Sequence, residues 1–275
     1  MRRNPVIRFP VIRFPVIIAA ASATALLLAG CSSDSGSSDS PSSTSKAKTT
    51  TAAMPPLDMS QFEALPPVQA PAAATVDCSY PSAAGAAKTV NPPSSTGVST
   101  EGTVTVALTT TAGPIGMQLN RAEAPCTVNS IVSLTEQKYF DDTPCHRLVT
   151  SPGLQILQCG DPSGKGTGGP GYGFDNEYPT TAYSANDPAL SLPVVYPRGT
   201  LAMANSGAPG SNGSQFFLVY EDSVLPPNYT VFGTIDDAGL ATIEKIAADG
   251  DDGGMGATGG GAPNTPITVE TAVVA

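Results

Sequence analysis

Short apolar runs, each closed off by glycine or proline, limit what this chain can fold into more than any other feature. Gly102–Leu108 and Ile115–Leu119 predict two strands joined by a turn at Ala112-Gly113-Pro114. Arg147–Val149 and Gln155–Gln158 predict a hairpin, and residues 164–173 form a long Gly-rich loop. Thr200–Asn205, Gln215–Tyr220, Thr230–Ile235 and Ile267–Val274 read as further short strands. Helical spacing occurs twice. Pro125, suited to a first helical turn, precedes Val128, Ile131, Val132 and Leu134. The second stretch, Leu240–Ala247, places Leu240, Ile243, Ile246 and Ala247 on one stripe. Many strands, Gly/Pro turns and two helices predict a mainly β fold, a closed antiparallel barrel.

The N-terminal residues follow a different logic. Arg2, Arg3, Arg8 and Arg13 precede an apolar run from Val16 to Ala29, which ends in Leu28-Ala29-Gly30-Cys31. A basic start, an apolar stretch and small residues before a cleavage point make a secretory signal over 1–30. The run is short for a membrane span. Leu-Ala-Gly-Cys resembles a bacterial lipobox, which implies lipidation of Cys31 and a chain anchored on the extracytoplasmic face of a cell membrane. Residues 31–76, rich in Ser, Thr, Pro and Ala, have little apolar periodicity and read as a disordered tether. Residues 77–101 read as an extension pinned to the domain that follows.

Thirteen basic and 23 acidic residues give a net charge of −10. Loss of residues 1–30 removes four Arg and no acid, which leaves nine basic residues and a net charge of −14. An acidic chain without basic clusters argues against nucleic-acid partners.

With Cys31 assigned to lipid, Cys78, Cys126, Cys145 and Cys159 remain. An even number outside the membrane predicts two disulfides, in any of three pairings. A zinc site built from cysteines and the lone His146 lacks any close Cys-x-x-Cys spacing, so no metal is expected. Gly164-Lys165-Gly166-Thr167 fails the phosphate-loop pattern, and Asp249–Gly254 lacks the alternation of a Ca²⁺ loop. Both read as solvated loops, and no cofactor is expected.

The function lies in a set of motifs. Asn212-Gly213-Ser214-Gln215-Phe216-Phe217 follows Met203-Ala204-Asn205. Upstream are His146-Arg147-Leu148, Gln158-Cys159-Gly160-Asp161 and Gly166-Thr167-Gly168-Gly169, and downstream is Val231-Phe232-Gly233. In this order and spacing, residues 102–275 resemble a cyclophilin, a peptidyl-prolyl cis–trans isomerase, here in the form of an exported actinobacterial-like lipoprotein. The resemblance implies an eight-stranded barrel capped by a helix at each end. It also implies a monomer that acts on Pro-containing polypeptides and binds ciclosporin.

Rotation about an X–Pro bond needs no nucleophile. Amide resonance sets a barrier of ~18–20 kcal/mol. A catalyst must hold the proline ring in an apolar pocket and offer a donor to the twisted amide. A fixed guanidinium suits the second task, being always charged and rich in N–H groups. By resemblance Arg147 is that group and Gln158 orients it. Phe217 is the pocket floor, with Ile156 and Leu225 as walls. Ala204 and Asn205 meet the substrate backbone, Gln215 meets a peptide carbonyl, and Tyr229 replaces a frequent family His. His146 faces away and is structural.

The chain also departs from the family. The turn between Arg147 and Gln158 is about three residues longer, and Gln155 aligns with a pocket Phe unless Leu154 takes that place. Val224 stands where the family has an indole. In a cyclophilin hairpin Cys145 and Cys159 would be one step out of register and face opposite ways, which disfavours that pair. Two further readings stand beside the enzyme. One is a cyclophilin-fold binding module with little catalysis. The other is a solute-binding lipoprotein, which explains Cys31 but not the domain motifs.

Overall fold

The computed structural model describes residues 57–256 and 259–275. The expected signal, Cys31 and the tether up to residue 56 lie outside the described residues. The strands, in chain order, are β1 (Glu63–Ala64), β2 (Thr75–Val76), β3 (Val98–Ser99), β4 (Thr103–Thr110), β5 (Gly113–Asn120), β6 (Thr143–Pro144) and β7 (Arg147–Ser151). They continue with β8 (Leu154–Cys159), β9 (Val194–Tyr196), β10 (Thr200–Met203), β11 (Phe216–Glu221), β12 (Ser223–Leu225), β13 (Val231–Ile235) and β14 (Thr268–Val274). The helices are α1 (Pro125–Glu136) and α2 (Asp237–Ala248).

One curled antiparallel sheet dominates, in the order β6-β14-β4-β5-β13-β10-β11-β8-β7. Its faces follow from strict alternation. Leu148, Leu157, Leu201, Met203, Phe216, Leu218 and Phe232 point inward, into a core that Val128, Ile131 and Leu134 of α1 and Leu240, Ile243 and Ile246 of α2 complete. Their neighbours Val149, Ile156, Ala202, Phe217, Val219 and Val231 point outward into a second apolar layer with Tyr178, Val194 and Tyr196. The expected closed ring of eight strands is not drawn as such by the hydrogen bonds. The segment 143–151 is split at Cys145-His146 into β6 and β7, and these two pieces are the first and last strands of the sheet.

Both helices have ordered starts. Ala124 cannot cap α1, so the Glu177 carboxylate reaches across and accepts from Cys126 N (3.0 Å), Thr127 N (2.8 Å) and Thr127 Oγ1 (2.7 Å). Asp236 caps α2 through Gly239 N (2.7 Å) and also accepts from Gly116 N of β5 (3.1 Å). That cap moves the helix start three residues ahead of the expected Leu240.

Two corrections concern the chain before residue 102 and the cysteines. The expected tether over 31–76 does not hold for residues 57–76. β1 pairs in parallel with β9, Leu65 packs on the outer apolar layer, and Tyr178 Oη donates to Pro66 O (2.6 Å). Strand pairs two residues long leave no periodicity to read. The disulfides are Cys78–Cys126 and Cys145–Cys159, so the disfavoured pair is the one that forms. The register argument fails because the ladder begins only at Arg147. Cys145 has left the strand, donates its N–H to Ile267 O (3.0 Å) and turns into the core that holds Cys159.

Candidate active site on the outer face of the sheet

Arg147 and Gln158 are ladder partners at the start of β7 and the end of β8, on the outer face. Arg147 Nη1 donates to Gln158 Oε1 (3.2 Å), and Arg147 Nε donates to Gly259 O (3.2 Å). Gln158 Nε2 donates on to Gln215 Oε1 (2.9 Å), and Gln215 Nε2 to Gly168 O (2.9 Å). One relay of amides therefore fixes the guanidinium from the side of the Gly-rich loop, and the loop around residue 259 fixes it from the other. Half-burial pulls the Arg147 pKa below its usual value, with Tyr229 opposing. Guanidinium basicity leaves it charged all the same.

The loop carrying Gly259 can come so close only because Gly260 has no side chain. A Cβ there would collide with Leu148 O, and its φ is +72°. Leu148 and Gly261 exchange hydrogen bonds at 2.8 and 3.0 Å. The stretch Asp249–Gly254, expected to be a solvated loop, thus precedes in sequence a support for Arg147.

Next to the guanidinium lies an apolar cluster. Phe217 is 2% and Ile156 3% exposed, and Leu225, Ala204, Leu154 and Tyr229 pack on the same cluster. The rings of Phe217 and Tyr229 meet edge to face at 5.7 Å. The longer turn is absorbed by extending the hairpin to Ser151↔Leu154, closed at Pro152-Gly153. In that register Leu154 shares the face of Ile156. Gln155 belongs to the other face, where it bears on Tyr220. Of the two residues that the sequence left open, Leu154 is therefore the one that packs beside Phe217.

The Asn205 side chain is spent inside the protein. Its Nδ2 donates to Asn228 O (2.8 Å) and Asn176 Oδ1 (3.3 Å), and its Oδ1 accepts from Gly207 N (2.9 Å). Ala204 N donates to Gln215 O (2.9 Å). Val224 sits in β12, paired with Val195. His146 is buried behind the site, and neither ring nitrogen has a hydrogen-bond partner. Burial holds its pKa below the usual range, against the pull of Asp161.

Asp161 organises the Gly-rich loop. Its carboxylate accepts from Ser163 N and Oγ (2.8 Å each), Gly168 N (2.9 Å) and Thr167 N (3.1 Å). Burial alone would raise its pKa, but these hydrogen bonds and His146 outweigh it and hold it low. Among the described residues no cluster of His, Cys, Asp and Glu could hold a metal ion.

A fixed guanidinium beside an apolar cluster is suited to polarising a bound amide. Residues 105–274 match the family described as "Cyclophilin type peptidyl-prolyl cis-trans isomerase/CLD", and the chain belongs to that family. It is 60% identical over 200 residues to the "Probable peptidyl-prolyl cis-trans isomerase B" of Mycobacterium leprae, covering 71% of this chain and 66% of that protein. The protein of the same name from Mycobacterium tuberculosis is 55% identical over 209 residues, covering 75% and 66%. The chain thus spans just under two thirds of the length of these relatives. A crystal structure of a cyclophilin type peptidyl-prolyl cis-trans isomerase from Cryptosporidium parvum is also similar, with a TM-score of 0.49 and 28% identity over 63% of this chain and 98% of that one.

Proposed function

We propose that this chain is an active peptidyl-prolyl cis–trans isomerase that assists the folding of exported proteins at the cell envelope. It is held on the extracytoplasmic face of the membrane by lipid on Cys31. The observation that carries the catalytic reading is the guanidinium of Arg147, held from two sides at the edge of the Phe217 cluster.

In this reading the proline ring rests on Phe217, with Ile156, Leu154 and Leu225 around it. The substrate backbone runs past Ala204 and Asn205, and the Gln215 amide and the Tyr229 hydroxyl are within its reach. As the amide twists, resonance is lost and the nitrogen regains its lone pair. Arg147 donates to that nitrogen, stabilising the twisted state more than either planar one. No bond to the protein forms. The same face takes ciclosporin, and the protein works as a monomer.

Measured by peptide exchange NMR, Arg147→Ala lowers kcat/KM at least about tenfold, since one positioned charged donor is worth a few kcal/mol. Arg147→Lys stays well below wild type, because Lys lacks the planar fork. Equal rates for wild type and Arg147→Ala would remove Arg147 from the mechanism. For the anchor, Cys31→Ala leaves unprocessed precursor, and a diacylglyceryl mass marks the wild-type N-terminus. A free Cys31 thiol in exported protein would overturn that part.

A further inference from the structure

The carbonyl that receives Arg147 Nε, that of Gly259, belongs to a stretch with little conformational preference of its own. Six of the nine residues 253–261 are Gly. Glycine gives up more backbone freedom on ordering than any other residue, so such a stretch keeps one shape only if specific contacts fix it.

The fixing contacts are polar and local. Asp252 N donates to Ala262 O (3.0 Å) and Met255 N to Gly260 O (3.0 Å), so the outgoing run of chain lies against the returning one. One side-chain atom joins the two runs at their base. Asp252 Oδ1 accepts from Gly254 N (2.8 Å) on the outgoing run and from Ala262 N (2.9 Å) on the returning run. The fit is close, since a Cβ on Gly261 would collide with this oxygen. Immediately inside the clamp, Gly261 exchanges hydrogen bonds with Leu148 and Gly259 O accepts from Arg147 Nε. The neighbouring Asp251 turns to the hairpin instead, where its Oδ2 accepts from Thr150 Oγ1 (3.1 Å). Asp252 is exposed, and both bonds to its Oδ1 come from backbone N–H groups. What it supplies is an acceptor at a fixed point, the usual local use of an Asp side chain.

We infer that Asp252 is a positioning residue for the Arg147 guanidinium. Its Oδ1 holds the two runs together, the joined runs fix Gly259 O, and Gly259 O fixes the direction of the Arg147 Nε–H and so of the whole fork. A donor that wanders loses most of its value to a twisted amide, while the Phe217 cluster still seats the proline. The effect therefore falls on kcat rather than KM. The inference rests on the isomerase reading for the reaction, and it adds a residue from outside the motifs that support that reading.

The test compares wild type, Asp252→Ala and Asp252→Asn in the full chain, each also in an Arg147→Ala background. Isomerisation of a Pro-containing peptide is followed by exchange NMR, and hydrogen exchange is measured at the Arg147 Nε–H. Asp252→Ala lowers kcat about fivefold with KM nearly unchanged, and speeds Nε–H exchange about fivefold or more. Asp252→Asn keeps the acceptor oxygen and stays within about twofold of wild type in both. In the Arg147→Ala background Asp252→Ala costs nothing further, because the two residues act as one unit. Asp252 is exposed, so the variants keep the fold, which their melting temperatures check. Should Asp252→Ala not fold, Asp252→Glu, which displaces the acceptor by one methylene, goes through the same cycle. An unchanged Nε–H exchange, an unchanged kcat, a fall that persists without Arg147, or an equal fall in Asp252→Asn overturns the inference. A wild type that binds the peptide without isomerising it overturns the catalytic reading instead, and the Nε–H exchange still decides the role of Asp252.

Discussion

At the scale of single residues, the position that matters most for the pocket is one that the sequence left between two candidates. Leu154 and Gln155 both lie near the family's aromatic. Choosing between them needs the register of the hairpin, which a two-residue turn at Pro152-Gly153 sets. With Leu154 on the Phe217 face, Leu154→Ala weakens binding of a Pro-containing peptide by about 1 kcal/mol, the loss expected for a half-buried aliphatic side chain. Gln155→Phe leaves peptide affinity unchanged. Titrating the two variants side by side checks the assignment, and an effect of Gln155→Phe alone would reverse it. That Arg147, Gln158 and Phe217 lie together was legible because each belongs to a motif with fixed neighbours. Gly259 O and Gly168 O, which anchor the two ends of the hydrogen-bond relay, were not, because a backbone carbonyl carries no mark in a sequence.

At the scale of elements, the long strands were legible from their alternation. β4, β5, β11 and β13 differ from the expected runs by a residue or two at their ends. The short strands β1, β2, β9 and β12 were not, since two or three residues cannot display a period. The β7–β8 hairpin shows how a local rule can mislead. Alternation separates Cys145 from Cys159 only if the strand continues, and it stops at Arg147. Their bridge, with 14 residues of sequence separation, closes the base of the hairpin that carries Arg147 and Gln158. The Cys145→Ala/Cys159→Ala protein loses about 3 kcal/mol of stability in denaturant unfolding, the chain-entropy value for such a loop. No loss would mean that the core alone fixes the hairpin.

The Gly-rich loop yields a pH prediction. Asp161 has a lowered pKa in the folded protein, so its contribution is fully present above its unfolded value of 3.8 and is lost as pH falls through the lower folded value. Asp161→Asn therefore destabilises the protein at neutral pH and flattens the stability profile below about pH 4. Thermal melts of the two proteins across acid pH check this, and parallel profiles would contradict it.

At the scale of the whole molecule, the sheet ends where the candidate site begins. Residues 143–151 meet one part of the sheet through β6 and β14 and the other through β7 and β8, with Cys145-His146 between. On the inner approach the segment is held by isolated bonds, Cys145 N to Ile267 O and Leu148 N to Gly261 O, rather than by a continued ladder. β4 and β5, in contrast, are paired over all eight residues. Local opening favours the place with the fewest cooperative bonds. The Cys145 and Leu148 amides should therefore take up deuterium at least about ten times faster than those of Val106 and Met117, and a peptide seated at Arg147 should slow them selectively. Equal protection along both segments would mean that the seam is as firmly closed as the rest. If the seam opens first, the structure's weakest joint and its proposed catalytic guanidinium coincide, and ligand occupancy becomes a brace for the fold as well as an outcome of it.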